Sequence, residues 1–185
     1  MFARLFRRRA APSKAEHLYA GIVAQAREPS FYTDCGVPDS FDGRFEMVAL
    51  HGFLVLHRLK AATDPAAAGL AQDLVDVLFA DMDRTFREMG AADLGVGRRV
   101  QRTAEALYGR IAAYDNGLAE SAPVLEDALS RNVYGTLAPA AQPAASVLAR
   151  LADYVRDASR ALAEISDEEL VAGNVRFRPP PAARH

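Results

Sequence analysis

The sequence predicts a single all-α globular domain of six to seven helices. Two observations carry the prediction. Alanine supplies 37 of the 185 residues, and alanine costs less in a helix than any other residue. Apolar residues recur at spacings of three and four over long windows, and no window sustains the two-residue alternation of a strand. A third observation bounds the class: with 50% hydrophobic and 25% charged residues the chain has the composition of a packed domain. One cysteine, Cys35, leaves no intrachain disulfide and no cysteine metal cage. No stretch approaches the roughly 20 apolar residues of a membrane span.

Taken in order, Ser13 and Glu16 form a capping box. The helix it opens buries Ala15, Leu18, Tyr19, Ile22, Val23 and Ala26 and stops at Pro29. Residues 29–41 read as an aromatic-rich loop that packs down onto helices. The second helix spans about Asp42 to Ala62. Phe45, Val48, Ala49, Gly52, Phe53, Leu56 and Leu59 form its stripe, and Leu50, Leu54 and Val55 widen it almost all round, so this helix is expected at the centre. Thr63-Asp64-Pro65 stops it and starts the third helix, whose inner face includes Leu70, Leu74, Leu78, Met82, Phe86 and Met89, with Gly90 as its closing residue. Asp83–Arg87 and Arg84–Glu88 are spaced as ion pairs on its wet side. Asp93 opens the fourth helix, with Gly95 and Gly97 able to delay it. Val100, Leu107, Ile111 and Tyr114 face inward, and Asn116-Gly117 ends it. A fifth helix starts at Ser121 with Pro123 in its first turn. A sixth is lined by Val147 through Ile165, and Ser166 opens a last helical turn that Gly173 closes.

The net charge of −2 conceals an asymmetry. Residues 1–14 carry +5, residues 176–185 carry +3, and the body between carries −10. The organisation expected is a basic segment over 1–12, a helical domain over 13–175 and an extended tail over 176–185. In the basic segment Phe2, Leu5 and Phe6 share a helical face among arginines. Such a segment can lie on an anionic membrane surface, touch RNA phosphates, or remain solvated. It lacks the apolar core of a secretory signal. The tail, Arg176-Phe-Arg-Pro-Pro-Pro, reads as polyproline-like.

The chemistry-bearing residues do not assemble into a catalytic pattern. His51 and His57 are six apart and off one helical face, and no Glu-x-x-His occurs. Asp73 and Asp76 form one thin acidic cluster, better read as a solvated face than as a diphosphate site. Gly95-Val-Gly97 with Arg98, Arg99 and Arg102 offers an anion site at a helix start, or a plain turn. No Ser-His-Asp or Cys-His constellation is legible. No enzyme activity, metal or cofactor is expected. Aromatic residues beside arginines do stand out, at Tyr108-Gly-Arg110, Ala113-Tyr-Asp-Asn-Gly-Leu118 and Ala128-Leu-Ser-Arg-Asn132, and that pairing is typical of interface anchors.

Those segments, together with Phe31-Tyr32, Gly36-Val-Pro-Asp39, Phe41, Leu50-His51, Arg58-Leu59 and Leu78-Phe-Ala-Asp81, resemble the ubiquinol–cytochrome c chaperone family in order and spacing over roughly residues 30–135. The chain departs from the mitochondrial members in having no Trp; Phe45 and Phe53 take such places. The resemblance implies an all-α assembly chaperone for cytochrome b or the cytochrome bc1 complex (respiratory complex III), binding apolar client segments without catalysis. It implies as partners cytochrome b or another bc1 subunit, with ribosome contact a further possibility and DNA none. The location expected is the cytoplasm, with peripheral contact to the inner membrane. The rival reading is a helical protein that holds a lipid, an isoprenoid or a quinone inside. The residues nominated for partner binding are His51, Arg58, Asp81, Tyr108, Arg110, Tyr114, Asp115, Arg131 and Asn132. Tyr114 is expected to bury its ring and direct its hydroxyl to a partner. Asp115, placed at a helix C-terminus against the macrodipole, needs a cation, with Arg110 and Arg131 nearest in sequence. The pair either locks the fourth helix to the fifth or forms a polar rim with His51 and Arg58.

Overall fold

The computed structural model describes residues 11–88 and 93–181, with the side chains of all of these except Phe86 and 93–103. The readings on Phe2, Leu5 and Phe6, on Phe86, Met89 and Gly90, and on the side chains of Val100 and the arginines of Gly95–Arg102 lie outside the described residues. Eight α-helices and one 3₁₀ turn are seen among the described residues: α1 Lys14–Ala26, α2 Pro29–Thr33, α3 Phe41–Ala61, α4 Ala66–Glu88, α5 Asp93–Ala119, α6 Ala122–Val133, the turn Pro139–Ala141, α7 Ala145–Ala163 and α8 Asp167–Val171. This is the all-α fold the sequence predicts, with one short helix more than the expected six to seven.

Local chemistry sets most boundaries. The Ser13–Glu16 capping box is formed in both directions. Ser40 caps α3 by accepting from the Gly43 amide at 3.2 Å, and Ser166 caps α8 through the Glu169 amide. Asp64 accepts from the Ala66 amide at 2.7 Å where α4 begins. Gly173 closes α8 in the left-handed region at φ 91°, where a side chain would also meet the Lys14 carbonyl.

Four expectations are corrected. Residues 29–41 are not wholly loop: Pro29, read as a stop, is the first residue of α2, a place where its missing N–H costs nothing. The fourth predicted helix starts at Asp93 with no delay at Gly95 or Gly97, and it runs through Asn116-Gly117 to Ala119. Gly117 is there for packing, since a Cβ would come within 2.8 Å of the Leu125 Cα on α6. On α4, Asp83–Arg87 forms at 2.8 Å, but Arg84 pairs back to Asp81 rather than forward to Glu88.

Helix α3 is the axis of the domain. It packs against α1, α4, α5, α6 and α7 and buries Met47, Ala49, Leu50, Phe53, Leu54, Val55 and Leu59. The core has three parts. The largest joins α2, α3 and α5–α7 around Phe31, Phe53, Tyr114, Tyr134 and Tyr154. A second joins α1, α3, α4 and α8 around Leu18, Ile22, Leu59 and Leu170. The third is a small cluster of Ala49, Leu78, Met82 and Leu107. Cys35 is a buried free thiol, pushed up in pKa by burial, and so behaves as a small apolar residue.

Candidate functional site

One end of α3 carries an open apolar cleft. Phe41, Phe45 and Val48 from α3, and Leu78 and Met82 from α4, line a cavity of about 220 Å³. Arg27 and Arg44 flank it. Phe41 is 39% exposed, an unusual state for a phenylalanine on the central helix. The cleft shares Tyr19, Arg27 and Asp81 with a shallow groove of about 600 Å³ that follows α1 and α4. The Tyr19 hydroxyl donates to Asp81 at 2.8 Å; burial and that carboxylate hold the phenol well above its usual pKa. Asp81 also accepts from Arg84. The junction of groove and cleft is therefore a fixed polar post between two apolar surfaces.

The cleft rests on a buried ion pair. Glu46, 5% exposed, accepts both ends of the Arg110 guanidinium. Arg110 also donates to the Ala106 carbonyl and lies 5.6 Å from the centre of the Phe45 ring. Burial pushes the Glu46 carboxyl up, against the pull of Arg110. Arg110 is thus a support for Phe45 and not an exposed anchor.

The other nominated residues do not converge on one surface. His51 is fully buried. Its Nδ1 lies 2.7 Å from the Met47 carbonyl, which can only accept, so Nδ1 carries the proton and Nε2 accepts from the Tyr154 hydroxyl at 2.8 Å. Tyr154 in turn accepts from Gln25 at 3.0 Å. Desolvation pushes the His51 pKa down to about 4. Arg58 donates to the Leu162 and Ile165 carbonyls and to Asp167, tying α3 to α7 and α8. His51 and Arg58 are therefore interior braces and do not form a rim. Tyr114 is buried as expected, but among the described residues its hydroxyl makes no hydrogen bond of good geometry; burial pushes its pKa up against a weaker pull from Asn132. Tyr108 is 57% exposed on α5, Arg131 is exposed on α6, and Asn132 is half-buried. Of the nine, Asp81 lines the cleft and Arg110 supports it.

Asp115 takes neither Arg110 nor Arg131. Its partners are His57 at 2.8 Å and Lys60 at 3.4 Å, so it locks α5 to α3 rather than to α6. With α5 extended to Ala119, Asp115 stands a full turn inside the helix. His57 and Lys60 hold its carboxyl below the usual range, against a cost of desolvation. The fold also brings Ser159 of α7 to the shallow cleft that His57 and Asp115 line. The imidazole–carboxylate pair is formed there, but among the described residues Ser159 makes no hydrogen bond to His57. A nucleophile with its base in contact is absent from that arrangement.

Three contributors escape a sequence reading. Glu46 sits inside the apolar stripe of α3, and a charge on a buried face was its available signal. Asp167 lies on α8 and accepts from Thr63 twice and from the Asp64 amide, as well as from Arg58; these donors hold its pKa far down. Tyr19 is in the predicted stripe, but its bond to Asp81 spans 62 residues. Among the described residues no group of His, Cys, Asp and Glu could hold a metal ion, and no helix is long and apolar enough to cross a membrane.

Comparison with known proteins extends the picture beyond the cleft. A family model described as ubiquinol-cytochrome C chaperone matches residues 33–177. The mitochondrial protein CBP3 of Saccharomyces cerevisiae is 28% identical over 152 residues, covering 81% of this chain and 44% of that protein. Ubiquinol-cytochrome-c reductase complex assembly factor 1 of Xenopus laevis is 25% identical over 166 residues, covering 89% of this chain and 80% of that protein. The crystal structure of the Cbp3 homolog from Brucella abortus superposes with a TM-score of 0.79 at 39% identity, over 92% of each chain. This chain spans less than half the length of its yeast relative.

Proposed function

The chain belongs to the ubiquinol–cytochrome c chaperone family, and from that premise we propose that it is an assembly chaperone for the cytochrome bc1 complex, acting by holding an apolar client segment without catalysis. The observation that carries the mechanism is the continuous surface formed by the α1–α4 groove and the Phe41–Met82 cleft. A client helix laid along the groove would place one large apolar side chain in the cleft, the usual way an amphipathic helix is held. Arg27 would meet an acidic residue beside that side chain.

The client we assign is cytochrome b, or another bc1 subunit at the stage when its apolar segments are uncovered, met at the cytoplasmic face of the inner membrane. A photocrosslinking residue at position 41 tests this in cells that make the bc1 complex. The expected product is a crosslink to a bc1 subunit, absent when the crosslinker is moved to the exposed Asp73. Deleting the gene should remove the b- and c1-type haem absorbance of the membranes. Normal haem spectra after deletion would overturn the proposal.

A further inference from the structure

The opposite flank of α1 carries a groove that is already filled. After Gly173 the chain forms neither helix nor strand through Pro181 and runs along α1. Val175 faces Gly21, where even a Cβ would come within 2.7 Å of it. Phe177 packs edge-on to the His51 ring at 5.2 Å, in the aromatic nest that Phe31 and Tyr154 complete. Gln25 donates to the Arg178 carbonyl at 2.9 Å. The arginines that follow Val175 and Phe177 turn outward to acids, Arg176 to Glu169 at 3.7 Å and Arg178 to Glu164 at 3.8 Å.

Two features separate this strap from an ordinary piece of the core. The polar groups of the groove do not depend on it. His51, Tyr154 and Met47 satisfy one another, and what the strap receives is the second donor of Gln25. The strap is also lightly held. Beyond Asn174 its one hydrogen bond among the described residues is that from Gln25, and its ion pairs are long and exposed, a class that contributes little. An apolar floor, a side-chain amide reading a main-chain carbonyl and an acidic rim are the parts of a site for an extended peptide.

We propose that the groove between α1 and α7 is a binding site for an extended segment of a partner protein, and that Val175–Arg178 is its resident occupant in cis. The segment recognised has an aliphatic residue, an aromatic two positions later, and arginines beside each. The strap acts as a gate: a partner segment enters only by outcompeting a tethered copy whose effective concentration is of millimolar order.

The test uses the full chain with Val175→Ser and Phe177→Ser, which empties the groove, and a fluorescent peptide copying residues 173–181. Anisotropy should show at least tenfold tighter peptide binding by the double variant than by the parent. The peptide carrying Phe177→Ser should not bind, and adding Gly21→Val to the double variant should abolish binding. If the double variant does not fold, Phe177→Ala alone, which leaves Val175 seated, takes its place. Equal, weak binding by parent and folded variant would overturn the proposal. So would a parent that exchanges straps between copies and elutes as a dimer, since the groove's occupant would then be the chain itself.

Discussion

Helix α1 has a groove on each flank, and the two differ in what covers them. The groove toward α4 is open, ends in the exposed Phe41, and has a charged post, Tyr19–Asp81, at its junction. The groove toward α7 is covered by the chain's own Val175 and Phe177 and is floored by a neutral network, His51–Tyr154–Gln25. Their supports differ in kind as well. The open cleft stands on an ion pair that would be costly to break, and the covered groove on hydrogen bonds whose histidine must stay uncharged. An open apolar site needs a rigid frame that holds it apart, whereas a covered one needs only a floor that its cover fits.

The largest effect should come from the support of the open cleft. Arg110→Ala leaves the Glu46 carboxylate buried without its cation, and losing one partner of a buried pair costs about 3–5 kcal/mol. Urea denaturation should show a loss near the lower end, because the raised pKa of Glu46 lets it take up a proton instead. A loss under about 1 kcal/mol would mean that the cleft does not depend on this pair.

The covered groove should respond to pH instead. Folded His51 has a pKa of about 4, against about 6.5 for an unfolded histidine. The unfolded chain therefore binds the proton more readily, so this contribution is full above about pH 6.5 and is lost as pH falls toward 4. The loss should be about 2 kcal/mol between pH 7.5 and pH 5. Among the described residues no charged side chain hydrogen-bonds to the imidazole; it is faced by Tyr154, the Met47 carbonyl, Phe31 and Phe177. His51→Gln should flatten the difference measured between the two pH values, and an unchanged slope would remove His51 as its source.

Gly117→Ala probes a joint away from both grooves. The added methyl meets the Leu125 backbone, and overpacking of this kind costs about 1–3 kcal/mol. Thermal unfolding should show the loss while client crosslinking at position 41 persists. The smallest stability effect belongs to Phe41→Ala. Phe41 is 39% exposed, so truncation should cost only about 1 kcal/mol, while recovery of bc1 subunits with the protein should fall severalfold. Strong destabilisation would make Phe41 a core residue and not a contact for clients.

Local chemistry was readable and distant pairing was not. The Ser13–Glu16 box, the Ser166 cap, the Gly173 stop and the central place of α3 depend on residues within one or two turns of each other, where spacing alone decides which groups meet. Pro29 shows the limit of such signals, because proline ends one helix and starts another with equal ease. The turn that the Asp34 amide closes on the Ser30 carbonyl decided for α2. Asn116-Gly117 shows it again: the pair reads as a terminator, yet packing against Leu125 kept the helix going to Ala119. Asp115 could be recognised as a carboxylate in need of a cation, but His57 and Lys60 lie 58 and 55 residues away. The aromatic and arginine motifs that carry the family resemblance are likewise divided by the fold among core, brace and surface. Sequence by itself determined the longer helices, several of their caps and the family, since these depend on short-range periodicity and on ordered motifs. Only the tertiary structure decided which of those residues stay on the surface, because burial and charge pairing are fixed by where helices cross, and crossing is set by the whole core at once.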